Sequence, residues 1–213
     1  EDVYGEEIMR RYILNGSPDH FMNLQLYLRY FADDNSSEPS LRVMNYEYPS
    51  FLVIQGKGPL VFLMLRDFIG KEAFLKGFTS AVEKYAHTRM PLDQIKKEWE
   101  VASGKNLDSF FKQWIDQPGA PHLKLEWQSE KQDSSGYRVV GTIVQTSESV
   151  YSMPIELVSV GKEMKKLQIE LNDKTTEFDF VVSHKPEKVL LDPERKSLWI
   201  DQSDKGKKDV AHA

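Results

Sequence analysis

Gly56-Lys57-Gly58-Pro59-Leu60-Val61-Phe62-Leu63-Met64-Leu65-Arg66-Asp67-Phe68-Ile69-Gly70-Lys71-Glu72-Ala73-Phe74 is the stretch on which the reading of this chain turns. From Leu60 to Leu65 every residue is apolar, so a helix over 59–69 shows no polar face and has to lie among other helices. Pro59 suits a first helical turn, and Gly58 lets that turn start close to a neighbour. Gly70 marks the end, and 71–86 follows with Phe74, Phe78, Val82 and Tyr85 at helical spacing.

Working outward, the same period recurs on both sides. Residues 2–14 and 18–33 read as helices separated by Ser17-Pro18, a capping residue followed by a first-turn proline. Residues 36–50 carry Pro39 and Pro49 with Tyr46 and Tyr48 and read as irregular. Pro91 opens a helix faced by Leu92, Ile95 and Trp99, and Gly104 stops it. Asn106 caps the last helix, where Leu107, Phe110, Phe111, Trp114 and Ile115 fit the helical template.

Gln117-Pro118-Gly119-Ala120-Pro121 breaks this pattern, and the period then changes to two. Leu123, Leu125 and Trp127 alternate with polar residues, as do Leu167, Ile169 and Leu171, and then Phe178 and Phe180. Further strands fit 136–146, 151–160, 187–191 and 197–200, with turn signals such as Asn172-Asp173 and Asp192-Pro193 between them. Seven short strands, each with one apolar face, predict an antiparallel β-sandwich. The expected organisation is a helical portion over 1–117, a sandwich over 118–201 and a disordered, lysine-rich tail over 202–213.

Composition narrows the function. Of the 213 residues 40% are hydrophobic and 29% charged, enough apolar material for a packed core. The net charge of −5 is interspersed and offers nothing to hold a phosphate backbone, so nucleic acid is not expected as a partner. With no cysteine, disulfides, thiolate zinc sites and a cysteine nucleophile are excluded. No apolar run reaches the length of a membrane span. The five histidines, His20, His87, His122, His184 and His212, include no pair three or four residues apart, so no helix presents two of them to a metal. Each reads as a surface or turn residue. Gly56-Lys57-Gly58 lacks the spacing of a phosphate loop, and no nucleophile elbow occurs. Asp33-Asp34 and Glu6-Glu7 read as solvated helix ends, and the tryptophans as core.

Two segments nevertheless carry a resemblance. Residues 56–74 resemble the Tyr-x-Lys-Gly…Met-Leu-Arg…Gly-x-x-x-Phe segment of the membrane alanyl aminopeptidases, the gluzincin aminopeptidases. Ser103-Gly104-Lys105-Asn106-Leu107-Asp108-Ser109-Phe110-Phe111-Lys112-Gln113-Trp114-Ile115, followed by Pro118-Gly119-Ala120-Pro121, is similar to the same family's Ser-Gly-x-(Asn/Asp)-Leu-x-x-Phe-Phe-x-x-Trp helix and Pro-Gly-x-Pro exit. The likeness runs over roughly 1–200 and is firmest over 55–121.

The resemblance implies the C-terminal helical part of a gluzincin-type catalytic domain followed by the β-sandwich. In that family a His-Glu-x-x-His helix and a later Glu bind zinc, which activates water for hydrolysis of N-terminal residues from a peptide substrate. Those residues would lie upstream, so zinc belongs to the parent protein, none is expected on this chain, and the chain alone is expected to be inactive. One family residue falls inside the chain. A tyrosine two positions before Lys-Gly stabilises the oxyanion of the scissile carbonyl, and here that position is Gln55. An amide donates a hydrogen bond without the phenol's geometry, and Tyr46 or Tyr48 could substitute if the alignment bulges. The alternative is a non-catalytic scaffold that binds peptide or protein on the same architecture, or a plain solvent-facing loop at Gln55. A chain cut from a larger body is also expected to self-associate through residues 1–60. The compartment, extracytoplasmic or cytoplasmic, stays open.

Overall fold

The apolar run folds as one of a series of helices in the computed structural model, which describes residues 5–15, 24–31, 38–43, 47, 50–132 and 136–203. The chain divides into two units, Glu1–Gly119 and Ala120–Ala213. The first unit contains α1 (Glu6–Asn15), α2 (Leu24–Phe31), α3 (Ser50–Leu52), a π-helical turn (Val53–Lys57), α4 (Gly58–Ile69), α5 (Lys71–Tyr85), α6 (Leu92–Ser103), α7 (Asp108–Phe111) and a second π turn (Lys112–Asp116). The expected boundary at Ser17-Pro18 and the tail from 204 onward lie outside the described residues.

The start of the central helix differs from expectation. Helical backbone begins at Ser50 rather than at residue 59, and Leu52, Lys57 and Gly58 all hold right-handed helical angles. The glycines flanking Lys57 do not break the helix. Both Gly56 and Gly58 are buried within it. Gly70, at φ 91°, does end α4 and opens α5 directly. Arg10 of α1 and Arg66 both bind Asp67, with nitrogen–oxygen distances of 2.8 and 2.6 Å, which ties α1 to α4.

The buried face of α5 is not the one that its large apolar residues mark. Phe78 and Val82 are 43% and 45% exposed, whereas Gly77 and Ala81 are the buried positions. The cause is Trp99 of α6, fully buried, which lies against Gly77 and stacks on Phe74 with ring centroids 5.3 Å apart. Its indole N–H donates to the Phe74 carbonyl at 3.0 Å. Gly104, at φ 69°, then closes α6 with its N–H on the Glu100 carbonyl. The Asn106 side chain accepts the Asp108 N–H at 2.9 Å, and Glu100 accepts the Leu107 N–H at 2.9 Å, so α7 starts with its first donors satisfied.

The second unit has β1 (His122–Gln132), β2 (Gly136–Gln145), β3 (Met153–Val160), β4 (Met164–Leu171), β5 (Thr175–Val182), β6 (Lys188–Leu191) and β7 (Ile200–Asp201). They form two mostly antiparallel sheets, ordered β5-β2-β1-β7 and β4-β3-β6. Alternation places Phe178, Phe180 and Val182 on the buried side of β5 and leaves Glu177, Asp179 and Val181 outside. Register is specific: Trp127 opposes Gly141, which in turn opposes Phe178. One strand departs from expectation. The segment expected over 197–200 is a two-residue strand, Ile200–Asp201, and it pairs parallel to β1.

The turn before it is held by Asp192, which is 1% exposed. Its carboxylate accepts the N–H groups of Lys196 and Ser197, both at 2.9 Å, and the Trp199 indole N–H at 3.3 Å. Burial pushes this carboxyl above the usual aspartate value, opposed by those hydrogen bonds. On the exposed side, Lys166 and Lys196 hold the Glu194 carboxyl at about 2, below its ordinary 4.5. A depressed folded-state value contributes stability above the ordinary value and loses it as pH falls through the folded one. Glu194 is half exposed, so screening limits the contribution to under ~1 kcal/mol. Glu194→Gln is expected to cost less than that at neutral pH, with the difference from wild type vanishing by about pH 2. Thermal unfolding across that range measures it.

Candidate functional site

The π turn Val53–Lys57 gathers the candidate chemistry of the helical unit. A π turn is rare and occurs mostly as a single turn inside an α-helix, often at functional sites. Gln55 sits on this turn and is half-buried, so it is neither in a loop nor simply solvent-facing. Tyr46 and Tyr48, its sequence-level substitutes, lie outside the described residues.

Two residues further on is the feature that the sequence did not disclose. Lys57 is 0% exposed, and its ammonium lies 3.0 Å from Glu38 Oε1, whose side chain is also 0% exposed. The ammonium donates a second bond to the Gly119 carbonyl at 2.7 Å. The other Glu38 oxygen, Oε2, accepts the Tyr27 hydroxyl at 2.9 Å. Burial pushes the Lys57 ammonium below the ordinary lysine value, and the Glu38 charge acts in the opposite direction. One ion pair thus joins α2, the segment before α3, the π turn and the last residue of the unit. A lysine sealed in this way has no route to a substrate, so it does not serve as a general acid or base.

The only charged residue between two glycines, just ahead of an apolar helix, was a signal that Lys57 needs a partner. Nothing in the sequence pointed to Glu38, which lies in a polar loop sequence.

The histidines are dispersed. His87 is exposed at φ 64°, His122 begins β1 with Nδ1 3.1 Å from Gln202 Nε2, and His184 lies 3.5 Å from Glu163. His20 and His212 lie outside the described residues. Among the described residues no three His, Asp or Glu side chains converge in a way that could hold a metal ion. The donor set for zinc is therefore not offered by these residues, and the chemistry available at the π turn is hydrogen-bond donation from Gln55. No described helix is long and apolar enough to cross a membrane.

No protein-family model matches the chain. Several curated relatives do. Aminopeptidase N of Lactococcus lactis subsp. lactis is 34% identical over 74 residues, covering 35% of this chain and 9% of that protein. The tricorn protease-interacting factor F2 of Thermoplasma volcanium is 30% identical over 70 residues, 33% of this chain and 9% of its own. Aminopeptidase M1-C of Oryza sativa subsp. japonica is 26% identical over 112 residues, 52% of this chain and 12% of its own. These matches thus span about a tenth of each relative's length. Among solved structures, aminopeptidase A of Legionella pneumophila, in complex with aspartic acid, superposes with a TM-score of 0.54 at 19% identity, over 72% of this chain and 18% of that one. The chain is similar to a C-terminal fragment of an aminopeptidase N-like protein, and the solved structure shares its fold.

Proposed function

We propose that this aminopeptidase-like fragment is the C-terminal part of a zinc aminopeptidase whose whole removes N-terminal residues from peptides. In this reading residues 1–117 form one helical wall of a gluzincin-type catalytic cleft, and residues 118–201 form a β-sandwich. The zinc ligands belong to the preceding part of the parent, and the peptide substrate lies between the two. The observation that carries the reading is the 34% identity over 74 residues to an aminopeptidase N.

Gln55 takes the position from which the family's tyrosine stabilises the oxyanion. Its half-buried amide supplies a weaker donor there, because an amide does not reproduce the reach or acidity of a phenol. Removing one such donor costs on the order of 10²–10³ in rate, so the parent is expected to be slow. The test is to express the full-length parent and measure zinc content and hydrolysis of aminoacyl reporter substrates. About one zinc per parent chain is expected, with none bound by the 213-residue chain alone and no hydrolysis by it. In the parent, Gln55→Tyr is expected to raise kcat by roughly 10- to 100-fold with little change in KM. A parent without zinc or hydrolysis, in both the wild-type and Gln55→Tyr forms, would remove the reading.

A further inference from the structure

We propose that the buried Lys57–Glu38 pair is a positioning device: it pins the π turn so that residue 55 is held at a fixed angle, and it takes no part in the chemistry itself. The inference rests on the reading that residue 55 faces the substrate carbonyl. Its physical basis stands apart from that reading.

A π turn inserted between two α-helical segments is rare and occurs mostly as a single turn, so its place in the chain depends on what surrounds it. The Gly58 N–H closes the turn on the Val53 carbonyl, but no side-chain cap holds its N-terminal end at Leu52. The side-chain hold comes from its last residue. Lys57 reaches Glu38 at 3.0 Å and the Gly119 carbonyl at 2.7 Å, two anchors distant in sequence on separate segments of the unit. Glu38 is itself fixed by the Tyr27 hydroxyl at 2.9 Å. Every charged atom in this set is buried, so the geometry is not loosened by competing water. A fully desolvated charge pair is a poor source of net stability, because an apolar pair of similar volume commonly does as well. What the ion pair adds over an apolar pair is direction. Two short charge-assisted bonds fix where the end of the turn sits, and hence where the side chain two residues earlier points.

The experiment separates positioning from bulk stability. The double variant Lys57→Met with Glu38→Leu removes both charges together and keeps the space filled, so the fold is retained. In the 213-residue chain, backbone amide hydrogen exchange over residues 53–57 is expected to quicken by about tenfold or more, while α5, α6 and the second unit exchange as in wild type. A folded double variant with unchanged exchange over those residues would overturn the proposal. In the full-length parent, the kcat gain from Gln55→Tyr is expected to shrink to within about threefold in the double-variant background, with KM little changed. A full gain there would also overturn it. If Gln55→Tyr gives no gain in either background, the reading of residue 55 fails, and the exchange result still decides whether the pair pins the turn.

Discussion

Lys57→Met alone is expected to destabilise the helical unit by about 3–5 kcal/mol, because it leaves the Glu38 carboxylate buried without its countercharge. The side chains of both residues are 0% exposed, so no water replaces the lost ammonium. The Tyr27 hydroxyl still donates to Glu38, but one neutral donor does not offset a desolvated charge. The Gly119 carbonyl also loses its donor. Adding Glu38→Leu removes the stranded charge, and at least half of the loss is expected to return. Urea unfolding followed by the helical circular dichroism signal gives both values. A single variant within 1 kcal/mol of wild type would mean that solvent or another cation reaches Glu38.

The contrast between this pair and the rest of the unit shows how far the sequence could be read. Apolar period located the helices and the strands, because burial of one face is a local property of spacing. Phe178 and Phe180 followed their alternation into the buried side of β5 for that reason. The π turn had no such signature. A lysine between two glycines looks like a break in a helix, and only the right-handed helical angles of Leu52, Lys57 and Gly58 show that helical backbone runs through. Glu38 and Lys57 find each other through the tertiary fold, and a single sequence carries no mark of that. Likewise β7 pairs parallel to β1 because a short segment returns beside it, which strand period cannot announce. At the candidate site, position 55 was legible only through resemblance, and its setting on a half-buried π turn was not legible at all.

The α5–α6 seam makes a sharper test, because two principles predict opposite signs there. In a helix interior alanine is favoured over glycine by about 1 kcal/mol, so Gly77→Ala on α5 would be stabilising on propensity alone. Sterics oppose this. A Cβ at Gly77 would lie 2.5 Å from Trp99 Cδ1, 2.9 Å from its Cα and 3.0 Å from its backbone nitrogen. An indole can tilt, but the backbone of α6 cannot yield without moving the helix. Overpacking of this kind costs about 1–3 kcal/mol, and because backbone atoms are involved the upper part of that range applies. The net change is therefore expected to be destabilising despite the gain in propensity. Trp99→Ala is expected to cost about 3–5 kcal/mol, since it empties a fully buried site and removes the stack on Phe74. The informative variant is the double. With the indole gone, the backbone contacts at 2.9 and 3.0 Å remain at position 77, so Gly77→Ala should keep at least half of what it costs beside Trp99. A stabilising Gly77→Ala, beside Trp99 or in the Trp99→Ala background, would mean that α5 and α6 do not meet at this glycine.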